Sequence, residues 1–230
     1  MRATAKSAAI LLTSTLLAAC SGGGEDDGAS AAPPNPAPTS RDSYPAAVFP
    51  VAPSPFVCLP PGIATQAVMQ KLNAFWQSGV VACGCDATQL AMGCRQNAFV
   101  SGNAYGYIFY DANFLNQVDA QSGSPLPADF LMAHEFGHNI QLALNLNRPG
   151  KLKELQADCL GGYYVGHQSR IGAVNQSELV RTFQFACAIG DPFVSNWWDQ
   201  THGTCAERVA ALQQGIAGNV AGGLPGQACP

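Results

Sequence analysis

The sequence predicts a predominantly helical α+β domain. Three observations lead there. Apolar residues recur at helical spacing in most segments after residue 60. One run, Tyr105 to Tyr110, is aromatic and β-branched and reads as a strand. Hydrophobic residues make up 47% of the 230, enough chain and enough apolar content for one sizeable core.

The elements follow in order. Ala64 to Trp76 places Ala67, Val68, Leu72, Phe75 and Trp76 on a helical period. Residues 78–104 are rich in Gly, Cys, Asn and Ser and read as a disulfide-stapled loop. The strand follows, then a short helix over Asp111 to Val118. Pro125, Pro127 and Asp129 lead into a helix from Phe130 to Leu146, ended by Arg148-Pro149-Gly150. Leu152 to Gln168 predicts the next helix. Asn175 or Ser177 caps another, running to Ala188. Thr204 to Ile216 predicts the last.

The N-terminus reads as an address. Arg2 and Lys6 precede an apolar stretch, Ala8 to Ala19, too short to span a bilayer at about 20 residues. It ends Leu17-Ala18-Ala19-Cys20, which resembles a bacterial lipoprotein signal with its lipobox. That resemblance implies a signal peptide over 1–19 and a lipid on Cys20. With Ser21 next, it implies anchoring in the outer membrane, facing the periplasm. An ordinary signal peptide with an incidental Cys is the plainer alternative. Residues 20–47 are small, polar and Pro-rich and predict a flexible tether. Residues 48–230 are left as a single domain.

Nine cysteines less Cys20 leave eight, an even number suited to four disulfides in an exported chain. Their pairing is open. A zinc knuckle around Cys83, Cys85 and Cys94 competes, but no second ligand pair has the spacing it needs.

Charged residues are only 11%, against about 25% in ordinary soluble domains. Lys plus Arg is 11 and Asp plus Glu is 15, for a net charge of −4. This argues against a nucleic-acid partner, which needs a basic footprint. Only four His and five Glu are present, so each carries weight. Two His fall in His134-Glu135-Phe136-Gly137-His138, which matches H-E-x-x-H. This composition would produce such a match by chance in roughly one or two chains per thousand.

On a helix His134 and His138 lie one turn apart on one face and can share a Zn²⁺. Glu135 is rotated by about 100° from His134. That places it beside the metal, where a general base for an attacking water belongs. A third ligand is required, and Glu154 and Asp158 are again four residues apart on the next predicted helix. An antiparallel pair of helices can bring Glu154 to the metal as third ligand. Asp158 can then accept the free ring N–H of a zinc histidine. A solvated helix carboxylate is the plain alternative for Glu154.

The blocks AHEFGHNIQ, KELQADCLGGYYVGH, AIGD and THGTCAERV, in that order, resemble the neutral zinc metallopeptidase family of bacteria. The likeness spans about Cys94 to Gly218. It implies a zincin-like domain with an active-site helix, a Glu-ligand helix and a small antiparallel sheet or edge strand, YIFYDANFL resembling the family's edge strand. It also implies Zn²⁺ on His134, His138 and Glu154, Glu135 as catalytic base, and a peptide or protein as substrate. This chain departs from the family pattern at Asn139, where a third His is frequent, at Gly161, Gly162 and Tyr164, and at Cys205 in place of Ser.

His202 precedes a predicted helix and could stabilise an oxyanion; capping or packing is the bland reading. His167 is expected to serve the C-terminus of its helix. Tyr105, Tyr107 and Tyr110 could lie along a cleft for strand addition, though core packing accounts for most of them. Asn196 to Asp199 reads as a loop packed on the core. The expected activity is zinc-dependent peptide hydrolysis by an envelope lipoprotein whose only membrane attachment is the lipid on Cys20. The alternatives are a silent zinc-binding envelope lipoprotein and a metal-free, disulfide-stapled interaction module.

Overall fold

The computed structural model describes residues 58–101, 106–146, 148–191 and 201–230. The signal segment 1–19, Cys20, the tether 20–47, Tyr105 and Asn196 to Asp199 lie outside the described residues.

Helix α1 (Ile63–Trp76) buries Val68, Met69 and Leu72 and packs Phe75 and Trp76 on the core, while Ala67 of the expected face is exposed. Asn73 then accepts from the Val80 N–H and donates to its carbonyl, both at 2.9 Å, and so sets the entry to β1 (Val81–Gly84). Residues 78–104 are thus not a plain loop. They hold β1, a one-turn helix α2 (Ala87–Gln89), a wide helical turn Leu90–Cys94, and β2 (Ala98–Phe99). Asp86 and Gln89 close a reciprocal cap around α2. Next come β3 (Tyr107–Tyr110) and α3 (Ala112–Ser122), with Asp111 capping the latter.

The strands form one mixed sheet in the order β1-β3-β2. β1 pairs parallel to β3 and β2 pairs antiparallel. The expected antiparallel sheet or edge strand at Tyr107–Tyr110 is therefore corrected. β3 is the central strand, paired on both sides and buried at every residue. Its backbone cannot take up a further strand, so Tyr107 and Tyr110 serve the core.

Four long helices complete the domain: α4 (Leu126–Ala143), α5 (Gly150–Arg170), α6 (Gln176–Ala188) and α7 (Cys205–Val220). A last turn, α8, covers Pro225–Ala228. α4 starts four residues before the expected Phe130. Pro127 sits in its first turn, where a missing N–H removes no helical bond. Asn175 caps α6 and Thr204 caps α7, each in a reciprocal box with the Glu three residues on. Among the described residues no helix is long and apolar enough to cross a membrane.

All eight cysteines pair: Cys58–Cys83, Cys85–Cys94, Cys159–Cys229 and Cys187–Cys205. A zinc knuckle at Cys83, Cys85 and Cys94 is thereby excluded, since each sulfur is bonded to another. The main core lies between the inner sheet face (Ala82, Ile108, Tyr110, Ala98) and the helices. α5 is the middle helix, packed against α4 on one side and α7 on the other. A side chain on Gly215 of α7 would collide with the Cys159 carbonyl of α5. Gly215→Ala is therefore expected to destabilise the fold by about 1–3 kcal/mol, the usual cost of overpacking. Denaturant titration would read this, and an unchanged midpoint would contradict the close α5–α7 contact.

Candidate metal centre

α4 is buried almost all round, so its polar residues reach the interior only because they have partners. His134, Glu135 and His138 are buried together, with ligand-capable atoms all within 4.8 Å of one another. α5 crosses close by. A Cβ on Gly137, between the two histidines, would stand 3.1 Å from Ala157 Cα. This near approach carries Glu154 to the imidazoles: its Oε2 lies 3.3 Å from His134 Nε2 and 3.4 Å from His138 Nε2. Glu135 Oε1 stands back, 4.0 Å from His134 Nε2.

The far side of each ring is also held. His134 Nδ1 meets Asp158 Oδ1 at 2.8 Å, and a carboxylate can only accept, so Nδ1 carries the proton and Nε2 faces the cluster. Asp158 has no exposed surface and receives Arg208 through Nε at 2.8 Å and Nη2 at 2.7 Å. Arg208 Nη1 donates to the Ile189 carbonyl at 3.1 Å, so α7 and the end of α6 are tied to the site. His138 Nδ1 meets Gln141 Oε1 at 2.8 Å. Asn139 accepts from the Gly106 N–H at 2.6 Å and donates to the Tyr107 carbonyl at 3.3 Å. It clamps α4 to β3.

The sequence reading thus finds His134, Glu135, His138, Glu154 and Asp158 in one place. It missed Gln141, Arg208 and the clamp role of Asn139. Gln141 was findable, since it lies three residues after His138 on the same helix face. Nothing in the spacing marks Arg208. His202 is not brought to the cluster. Its side chain is 55% exposed, with its N–H on Asp191 at 2.6 Å and its Nδ1 near Asp191 Oδ1 at 3.3 Å. The next residue, Gly203, abuts Leu155 of α5, so this loop borders the α5 segment that carries Glu154. His167 packs its ring on Phe75 at 4.7 Å. Burial and then Arg170 lower its pKa, so it serves packing rather than a charge at the helix end.

The charges follow from this geometry. Burial works against protonation of His134, but Asp158, Glu154 and Glu135 outweigh it and lift its pKa to about 10. Burial would raise Glu154, yet the two imidazoles hold it well below the carboxylate range. Burial also opposes ionisation of Asp158, and His134 and Arg208 more than offset it. For Glu135 burial wins over the two histidines, and its pKa is raised.

These observations define a helical α+β domain with a buried His–Glu–His group able to hold a metal ion. Two curated relatives are each 26% identical to it over 166 residues: the uncharacterized protein YpfJ from two strains of Escherichia coli. The match covers 60% of this chain and 55% of each relative, so the chain spans about half the length of the curated relatives it matches. No family model matches the chain, and no solved structure matches it.

A pH dependence follows for metal-free protein. The folded pKa of His134, about 10, is above its ordinary 6.5. Its stabilisation is therefore full below pH 6.5 and lost as pH rises through about 10. Glu154 acts in the opposite sense: its contribution is present above its ordinary 4.5 and is lost as pH falls toward its lowered value. Stripped protein should show a Tm that declines from pH 6.5 upward. Asp158→Asn should lower Tm and flatten that decline. A wild-type Tm that is flat or rising over this window would contradict the assignment.

Proposed function

We propose that the protein is a zinc-dependent peptidase of the cell envelope, with Zn²⁺ held by His134, His138 and Glu154. One observation carries this reading. Tetrahedral ligands at about 2.0–2.1 Å from a common centre lie about 3.3–3.4 Å apart. Glu154 Oε2 stands at 3.3 and 3.4 Å from the two Nε2 atoms, whereas Glu135 stands at 4.0 Å from His134. The donor set of two imidazoles and one carboxylate also suits zinc with a position left for reaction. Bound there, Zn²⁺ supplies Lewis acidity toward a water and a carbonyl oxygen.

The protein's own groups do the rest. Asp158 holds His134 with Nε2 toward the metal, and its charge raises the basicity of that ring. Glu135 is too far back to be the better ligand, which leaves its carboxylate available as a base. It takes the proton of the attacking water and passes it to the leaving amine. His202 lies outside the cluster, held by Asp191 on the loop that borders the Glu154 segment, and is proposed to donate to the developing oxyanion only once substrate is bound. Four disulfides favour an oxidising compartment, consistent with an exported lipoprotein anchored through Cys20 in the outer membrane.

Glu135→Gln is the direct test. It should retain one zinc per chain and lose about 10²–10⁴-fold in peptide cleavage against a mixed peptide library. A variant that cleaves as well as wild type would overturn the role of Glu135. Zinc bound by both proteins with cleavage by neither would favour a silent metal-binding lipoprotein. His202→Ala should reduce kcat by about 10²-fold with little change in KM; an unchanged kcat would remove His202 from the mechanism.

A further inference from the structure

We propose that Gln141 is a positioning residue that makes His138 an Nε2 ligand and couples its ring to the helix bearing Glu154. This rests on the zinc reading above. The two histidines are supported differently. His134 leans on a carboxylate, Asp158, which can only accept. His138 leans on an amide, which can present either oxygen or nitrogen. Something else must choose which end faces the ring.

The second partner of Gln141 makes that choice. Its Nε2 donates to the Lys153 carbonyl at 2.7 Å. Turned over, the amide would set its oxygen against that carbonyl oxygen. The Lys153 carbonyl therefore fixes Nε2 on its own side and Oε1 toward His138. An oxygen facing Nδ1 requires a proton there, which leaves the lone pair on Nε2, the atom 3.4 Å from Glu154 Oε2.

The second amide hydrogen of Gln141 goes to Gln156 Oε1 at 3.1 Å. Gln156 is oriented in turn, because its Nε2 donates to the Cys229 carbonyl at 3.2 Å. The donors thus run one way, from His138 through Gln141 and Gln156 to the backbone, with Lys153 as a second terminus. His138, Gln141 and Gln156 are all buried, so water does not readily substitute for a lost partner. Lys153 is also the residue before Glu154. One amide therefore fixes the tautomer of one ligand and holds the backbone beside another.

Two variants separate this from a packing role. Gln141→Met keeps the volume and removes the polar contacts. Gln141→Glu keeps an acceptor for His138 but turns an oxygen toward the Lys153 carbonyl and Gln156 Oε1. Zinc affinity of the full chain would be read by competition with a chromophoric chelator. The ring ¹⁵N shifts of zinc-loaded protein would be read alongside. Gln141→Met should bind zinc about 10–100-fold more weakly than wild type, with the His138 Nδ1 resonance displaced. Gln141→Glu should also bind more weakly. Wild-type affinity in Gln141→Met overturns the proposal, and so does equal or tighter binding by Gln141→Glu, the result a mere acceptor would give. If either variant fails to fold by thermal melt, Gln156→Met should show a smaller loss in the same direction, and no loss overturns the coupling. Wild-type protein that binds no zinc would remove the metal reading and this proposal together. Wild-type protein that binds zinc without cleaving peptides, with the variants weakened as expected, upholds the positioning role alone.

Discussion

A buried carboxylate with two basic partners holds the centre of this domain. Asp158 receives both His134 of α4 and Arg208 of α7. Neither charge could stay in the interior by itself, and removing one member of such a group typically costs about 3–5 kcal/mol. α5 must therefore sit within side-chain reach of both neighbours. It does so through small residues: Ala157 faces Gly137 of α4, and the Cys159 carbonyl meets Gly215 of α7. The close packing and the ion pairs are mutually dependent. The helices approach because small residues permit it, and the charges are tolerated because the approach completes their bonds.

The same arrangement explains why the centre is asymmetric. The His134 side is anchored by charge, and Arg208 carries that anchor across to α6 and α7. The His138 side is anchored by neutral amides that end on backbone carbonyls. Glu154 comes between them and is the most exposed member, with 19% of its side chain accessible. A site of this kind opens toward solvent on the carboxylate side, while both rings stay fixed from behind.

Much of this was legible in the chain because it depends on local periodicity. The four-residue spacing of His134 and His138, and of Glu154 and Asp158, carries over directly to two helix faces. The cap of α6 was narrowed to Asn175 or Ser177 and is Asn175, while Thr204, read as the start of its helix, is the residue that caps it. What depends on distant pairing was not. β1 and β2 are four and two residues long, and β1 exists as a strand only because β3, 26 residues on, runs parallel to it. The central place of β3 was missed for the same reason, since an aromatic strand reads alike at an edge or in the middle. Arg208 could not be assigned, because burial of an arginine is decided by a carboxylate 50 residues away. Gln141 could be found from its spacing to His138, but which end of its amide faces the ring is set by the Lys153 carbonyl on another helix.

The sheet has a second face, and its cover is unusual. Cys83, Tyr107 and Phe109 point away from the helices into a small separate cluster with Cys85, Cys94, Leu90 and Phe99. Two disulfides and the turn they brace close this side, where a larger α/β protein would lay another helix. The covering layer is thus made by oxidation as much as by packing. A chain made in a reducing environment would lack the bonds that hold this layer down, along with those that tie α5 to the C-terminal turn and α6 to α7. Maturity of the domain is then something its sulfur chemistry records: only after thiol oxidation are both faces of the sheet sealed.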